Sequence, residues 1–343
     1  MSGRLDLRRG VVVSAEPLVI EVAGQRRPAW ADEVLLGEVH EGDEVVVNVA
    51  ALDLDLGSGG FDVVHVNLSR GFEGREPGGE HVMKLNYTSL QHPVEPVEGK
   101  APGFQADGEA AVSLRATVSV LVLPLHGHLA PAAWAAAQAK PGLKAGYVQT
   151  GGGALPGSIS RDVAELRARG LLCGHITAAP SYGGEHEALS TVGALDSAAR
   201  LGWDAVLVGP GPGIIGSSTE FGHGGIAALD SAHAALALGM PTLLSPRLSS
   251  ADPRERHRGL SHHTYTVLEL LLAPVTVAAP AGNEEIESEL KGALGDRHQL
   301  VEVKVDLDAY AASGLPTTSM GRGLEADPLF FAAPLAAGHL LGR

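Results

Sequence analysis

From residue 117 onward the chain alternates between short apolar runs and longer amphipathic stretches, and that alternation leaves few folds open. Thr117–Leu123 reads as a buried strand and Pro131–Lys140 as an alanine-rich helix; Ala145–Gln149 and Ser160–Arg169 repeat the pair. Leu171–Thr177, Asp204–Val208, Pro241–Ser245 and Val275–Ala279 continue as strands, with helices over Glu185–Leu201, Ile226–Leu238, Ser261–Leu272 and Glu284–Leu294. Strands that are apolar throughout are buried on both faces, and the helices between them make right-handed βαβ crossovers. The pattern predicts an α/β fold with a doubly wound, mostly parallel, Rossmann-like sheet over 113–343.

Before residue 100 the period is different. Val11–Val13, Leu18–Val22, Asp43–Val47 and Phe61–Val66 are short β-type runs separated by Gly and Asp turns. They predict a small all-β domain over 1–100, a barrel or a sandwich, with Asp62, His65 and Asn67 making cross-strand hydrogen bonds. A connector over 101–112 continues the Pro- and Gly-rich stretch 92–108. No apolar run approaches the ~20 residues of a membrane-spanning helix, and the first residues lack an apolar signal core. The single cysteine, Cys173, suits a reducing compartment and reads as part of a buried strand. A cytoplasmic protein with no membrane partner is expected. The formal net charge of -15 argues against nucleic-acid binding, which needs a broad basic face.

Open parallel sheets bind ligands beyond the carboxyl ends of their strands, and here those ends collect the unusual residues. His126 and His128 follow the first strand; Thr150, Gly151 and Gly152 follow the second; a glycine-rich loop with Gly211, Gly213, Gly216, Ser218 and Thr219 follows the fourth. GPGIIG, 211–216, fits a dinucleotide fingerprint, but no helix begins at once and Arg247 stands where an acidic ribose contact belongs. Ser217 replaces the lysine of a phosphate-binding loop. A general anion cradle and a turn needed only for its backbone angles both remain open, and no cofactor is identified. His126, His128 and His186, with His175 and His223 in support, allow a divalent metal, although no metal-binding signature spaces them.

RERHRGLSHHT, 254–264, is the densest of these segments. Ser261 is a good N-cap, which puts His262 and His263 in the first turn of a helix, where a positive charge is disfavoured. Neutral imidazoles there, with His257, suit proton transfer; Arg254, Arg256 and Arg258, with Arg247, suit an anion. A surface loop whose arginines pair with Asp252 and Glu255 is the alternative. Near the C-terminus, Met320–Phe331 offers Arg322 as a mobile arginine closing over a ligand, or else a surface tail.

GPGxxG followed by Thr219 and Gly222, the run 256–264, and Ser319–Gly323 followed by Glu325 and Asp327 resemble a widespread bacterial family that carries only a domain-of-unknown-function label. GFDVVHVNLSRG and HVMKLNYTSLQ extend the resemblance over nearly the whole chain. Ser217-Ser218 departs from its Gly/Thr pattern. The resemblance implies bacterial origin and one integrated architecture, and no substrate. The residues themselves predict an enzyme acting on a small anionic metabolite, phosphorylated in one version. A non-catalytic sensor and a metal-dependent hydrolase are the alternatives, and a homo-oligomer is compatible with either.

Overall fold

Five short strands close on themselves at the start of the chain: β1 (Leu7–Ala15), β2 (Leu18–Val22), β3 (Gln25–Trp30), β4 (Glu44–Asn48) and β5 (Asp62–Asn67). The computed structural model describes residues 4–55, 59–72, 78, 80–99, 109–217 and 219–343, and these fall into two units, Met1–Val94 and Glu95–Arg343. In the first unit the barrel order is β1-β2-β3-β5-β4. β1 pairs antiparallel with both β2 and β4, and closure leaves no open sheet edge. Val12, Ile20, Val22, Val45, Val47 and Val64 fill the interior. Two single-turn helices, α1 (Glu33–Leu36) and α2 (Ala50–Asp53), lie in the connections, and the hairpin β6 (Val82–Lys84) with β7 (His92–Val94) follows. Buried Asp62 accepts from Arg27 Nε at 2.5 Å, and Asn67 Nδ2 donates to Asp43 at 2.8 Å. Both polar residues are structural, as expected of cross-strand bonds.

The first helix of the second unit is α3 (Glu109–Ala116), so the end of the expected connector is helical; 100–108 lie outside the described residues. Then follow β8 (Ser119–Val122), α4 (Leu129–Ala139), β9 (Ala145–Thr150), α5 (Arg161–Ala168), β10 (His175–Ala178), β11 (His186–Ala188), α6 (Thr191–Arg200), β12 (Ala205–Pro210), α7 (Ala227–Ala237) and β13 (Thr242–Leu244). The chain continues through β14 (Leu248–Ser249), β15 (Gly259–Leu260), α8 (His262–Leu270), β16 (Thr276–Pro280), α9 (Glu284–Leu294), β17 (Gln299–Val303), α10 (Leu307–Ala311), β18 (Thr318–Ser319), β19 (Arg322–Gly323) and α11 (Pro328–Leu341). Eight strands form one parallel sheet in the order β11-β10-β9-β12-β8-β13-β16-β17.

The sheet is apolar on both sides because successive side chains alternate faces. Val120, Val122, Val206 and Val208 enter one core layer; Leu121, Leu123, Ala205 and Leu207 enter the other. The chain leaves β9 for β10 toward one edge and leaves β12 for β13 toward the other. Neighbouring β9 and β12 therefore make a topological switch point, where such sheets form a ligand crevice.

Three local expectations give way. The stretch from Glu185 starts as edge strand β11, and the helix begins only at Thr191, where Ser190 Oγ accepts from Gly193 N. Cys173 is exposed, because β10 starts two residues later, at His175. Met320–Phe331 is no surface tail: Phe330 and Phe331 are buried in α11. That helix crosses α4 so closely that a Cβ on Gly338 would lie 2.1 Å from the Ala132 carbonyl oxygen. Among the described residues no helix is long and apolar enough to cross a membrane.

Candidate functional site

The glycines of the switch point bring backbone against backbone. A Cβ on Gly153 would meet the Gly211 carbonyl oxygen at 2.1 Å, and one on Gly224 would meet that of Gly152 at 2.0 Å. Ala154 N donates to Pro212 O across the same contact at 2.7 Å. Gly152 and Gly213 also hold positive φ, 102° and 74°, which glycine adopts without strain. Thr219 Oγ1 stays within its own loop, 2.7 Å from Ser217 Oγ; Gly216 pairs with His223; Ser218 lies outside the described residues. Beside the closed contact a cavity of about 340 Å³ remains, walled by Thr150, Gly151, Gly152, Pro180, His223 and Asp230 among others. Its size suits a small molecule.

His223 links this cavity to a cluster of four imidazoles. It precedes the single turn Gly224–Ile226 that opens α7. The ribbon β14–β15 frames the loop that carries His257, and α8 supplies His262 and His263. Ser261 is the N-cap as expected: its Oγ accepts from His263 N at 3.3 Å and lies 2.7 Å from His257 Nδ1. Ring centroids are 3.5 Å apart for His223 and His263, 4.4 Å for His262 and His263, and 4.9 Å for His257 and His262. His223 and His263 are each only 7% exposed. Both ring nitrogens of His223, and Nε2 of His262, are buried without a well-formed hydrogen bond; the Glu220 carbonyl near His223 favours its protonated form without such a bond.

All four rings are held neutral. Burial is the main cause in each, and it combines with Arg247 to bring His257 down to about 3 and His263 down to about 2. His262 is lowered by burial and then by His223; His223 is lowered by burial, with Arg247 and Arg256 adding to it. Arg247 Nη1 donates to His263 Nδ1 at 3.2 Å, which leaves the proton of that neutral ring on Nε2.

Most of the arginines are already matched inside the protein. Fully buried Asp252 accepts from Arg254 Nε at 2.9 Å and from Arg247 Nη2 and Arg322 Nη2 at 3.4 Å, and Arg258 Nε donates to its backbone carbonyl at 3.0 Å. Buried Asp327 accepts from Ser249 Oγ at 2.6 Å and Arg322 Nε at 2.9 Å. Arg256 is exposed and makes no ion pair among the described residues. Three guanidiniums, of Arg247, Arg254 and Arg322, thus share two buried carboxylates, and Arg256 and Arg258 stand in the same segment without a carboxylate partner among the described residues.

The structure brings Arg247, His257, Ser261, His262 and His263 together, and joins Thr150, Gly151 and Gly152 to them through His223. It does not bring His126, His128 and His186 together. His126 Nε2 lies 2.8 Å from Ser160 Oγ, His128 Nδ1 lies 3.0 Å from Ser245 Oγ, and His186 starts edge strand β11. His223, given only a supporting part by the sequence, is the central residue. Its one signal was a histidine between glycines just before an apolar helix.

Fold and site define an α/β protein with a doubly wound parallel sheet whose carboxyl edge carries a buried, neutral histidine cluster ringed by arginines. The chain belongs to the family described as "Protein of unknown function (DUF3866)", whose model matches residues 29–338. No curated protein and no solved structure gave a match.

Proposed function

We propose that the protein is an enzyme acting on a small anionic metabolite that enters the 340 Å³ cavity and meets the histidine cluster at His223. The observation that carries this reading is His223 itself, buried, on the cavity wall, with neither nitrogen well bonded. An unsatisfied buried polar group costs about 1–3 kcal/mol, which a ligand would recover. Arg256 and the unmatched part of Arg247 supply the attraction for negative charge; Thr150, Gly151 and Gly152 line the approach. His257, His262 and His263 handle protons. Their depressed pKa makes them poor bases in the empty site, since a general base works best near the operating pH. A bound anion raises those pKa values, so binding and proton uptake are coupled. The single cysteine fits a reducing, cytoplasmic setting.

Thermal shift tests the reading. Sulfate, phosphate and sugar phosphates should raise the melting temperature of the wild type by mass action, and His223→Asn and Arg256→Ala should each lose most of that rise. Equal shifts in all three proteins would place the anion elsewhere. A wild type that binds without turning over any member of the panel would leave a sensor in place of an enzyme.

A further inference from the structure

The geometry points to a second occupant of this site: a divalent transition-metal ion of the zinc class, held by His223, His262 and His263. The inference takes its location from the reading above and names the cofactor of that site. One nitrogen from each of the three rings lies within 4.8 Å of one nitrogen from each of the others. Zinc–nitrogen bonds of about 2.0–2.1 Å need ligand atoms roughly 3.3 Å apart, and a metal lies in the plane of each imidazole that holds it, so binding requires the ligand atoms to close by about 1.5 Å and the stacked rings of His223 and His263 to swing out of parallel. His223 has no well-formed hydrogen bond at either nitrogen, so its unprotonated one can face the ion, and His262 offers Nε2. Gly225 keeps the space between the rings open: a Cβ there would lie 2.9 Å from Nδ1 of both His223 and His263. An all-imidazole set selects borderline ions of the zinc, cobalt, nickel and copper kind over calcium or magnesium, which take oxygen ligands. The rings are already neutral, the form that binds metal.

Three protein ligands leave a fourth position for water or for an oxygen of the anion, the arrangement of catalytic rather than structural zinc; with the ion bound, proton handling falls to His257, because His262 and His263 are then ligands. Arg247 is the competing cation. It occupies Nδ1 of His263, and that nitrogen becomes free when the guanidinium turns fully to Asp252, the buried carboxylate it already touches at 3.4 Å. Ion and guanidinium therefore exclude each other at His263, and the remaining positive charge weakens the site. Arg256→Gln should tighten metal binding severalfold, more at low salt than at high.

The test is titration of the chelator-stripped full chain with Co²⁺, read by its visible ligand-field absorption, with Zn²⁺ as competitor. The expected result is one equivalent of Co²⁺, displaced by Zn²⁺ and not by Mg²⁺. Binding should be lost in His223→Asn and in half-buried His262→Asn, and kept in His186→Asn. Melting curves establish that each variant is folded; should His223→Asn unfold, His262→Asn decides. No Co²⁺ signal in the wild type, or a signal that survives in a folded His262→Asn variant, overturns the metal site. Sulfate stabilisation in the presence of chelator, without any Co²⁺ binding, would leave the anion reading standing alone. Co²⁺ binding with no response to any anion would keep the metal and remove the anion.

Discussion

The imidazoles of His223 and His263 lie face to face, centroids 3.5 Å apart and planes 4° from parallel, although one ring follows β12 and the other opens α8. Two charged rings at that distance would repel by about 5 kcal/mol at an effective dielectric of ~20. The stack therefore cannot carry a proton on both rings unless negative charge arrives with it.

Acid should destabilise the protein well above the range where carboxylates titrate. His128 is fully buried, and burial followed by Arg247 brings it down to about 3 from the ordinary 6.5. Below 6.5 the unfolded chain takes up a proton that the folded ring refuses, so its contribution to stability is full above that pH. It is lost progressively as pH falls toward 3. Urea midpoints measured in chelator should decline steadily from pH 7 to pH 4, and the decline should be shallower in His128→Asn. A midpoint that is flat over this window would contradict the assignment.

Asp252→Asn should be among the most damaging single changes. It strips the buried carboxylate from Arg247 and Arg254 and leaves Arg322 with Asp327 alone, and breaking a buried ion pair from one side costs about 3–5 kcal/mol. Chemical denaturation would register this as a large drop in midpoint. A cost under about 1 kcal/mol would mean that the guanidiniums reach solvent or another acceptor.

The switch-point glycines should separate by mechanism. Gly224→Ala drives a methyl into the Gly152 carbonyl, so its cost belongs at or above the top of the ~1–3 kcal/mol range for overpacking. Gly213→Ala meets nothing within 4 Å and has only its φ of 74° to accommodate, worth roughly 1 kcal/mol. Equal melting temperatures for the two variants would show that the loops after β9 and β12 are not in backbone contact.

Much of this was legible in the sequence, for identifiable reasons. The runs Val120–Leu123 and Ala205–Val208 are apolar at every position, as a doubly covered strand requires, and Ser261 announced its helix. What escaped depends on distance in space. Nothing local in Asp252 or Asp327 tells that one will gather three arginines and the other anchor Ser249. Nor does the GHGG run after β12 disclose that α8 will lay His263 on His223. β11 and β17 were missed because edge strands carry little of the apolar signal, and α11 because its alanines and Pro334 gave no amphipathic period. The glycine loops looked like a cradle because close backbone packing and anion binding call for the same residue.

The most direct test of the central claim is where an anion goes. Crystals soaked in selenate, read by the anomalous scattering of selenium, should show an ordered peak within hydrogen-bonding reach of His223 and Arg256, at the mouth of the cavity walled by Thr150 and Gly152. The peak should vanish in His223→Asn crystals. Ordered selenate elsewhere on the molecule, with none near His223, would contradict the account.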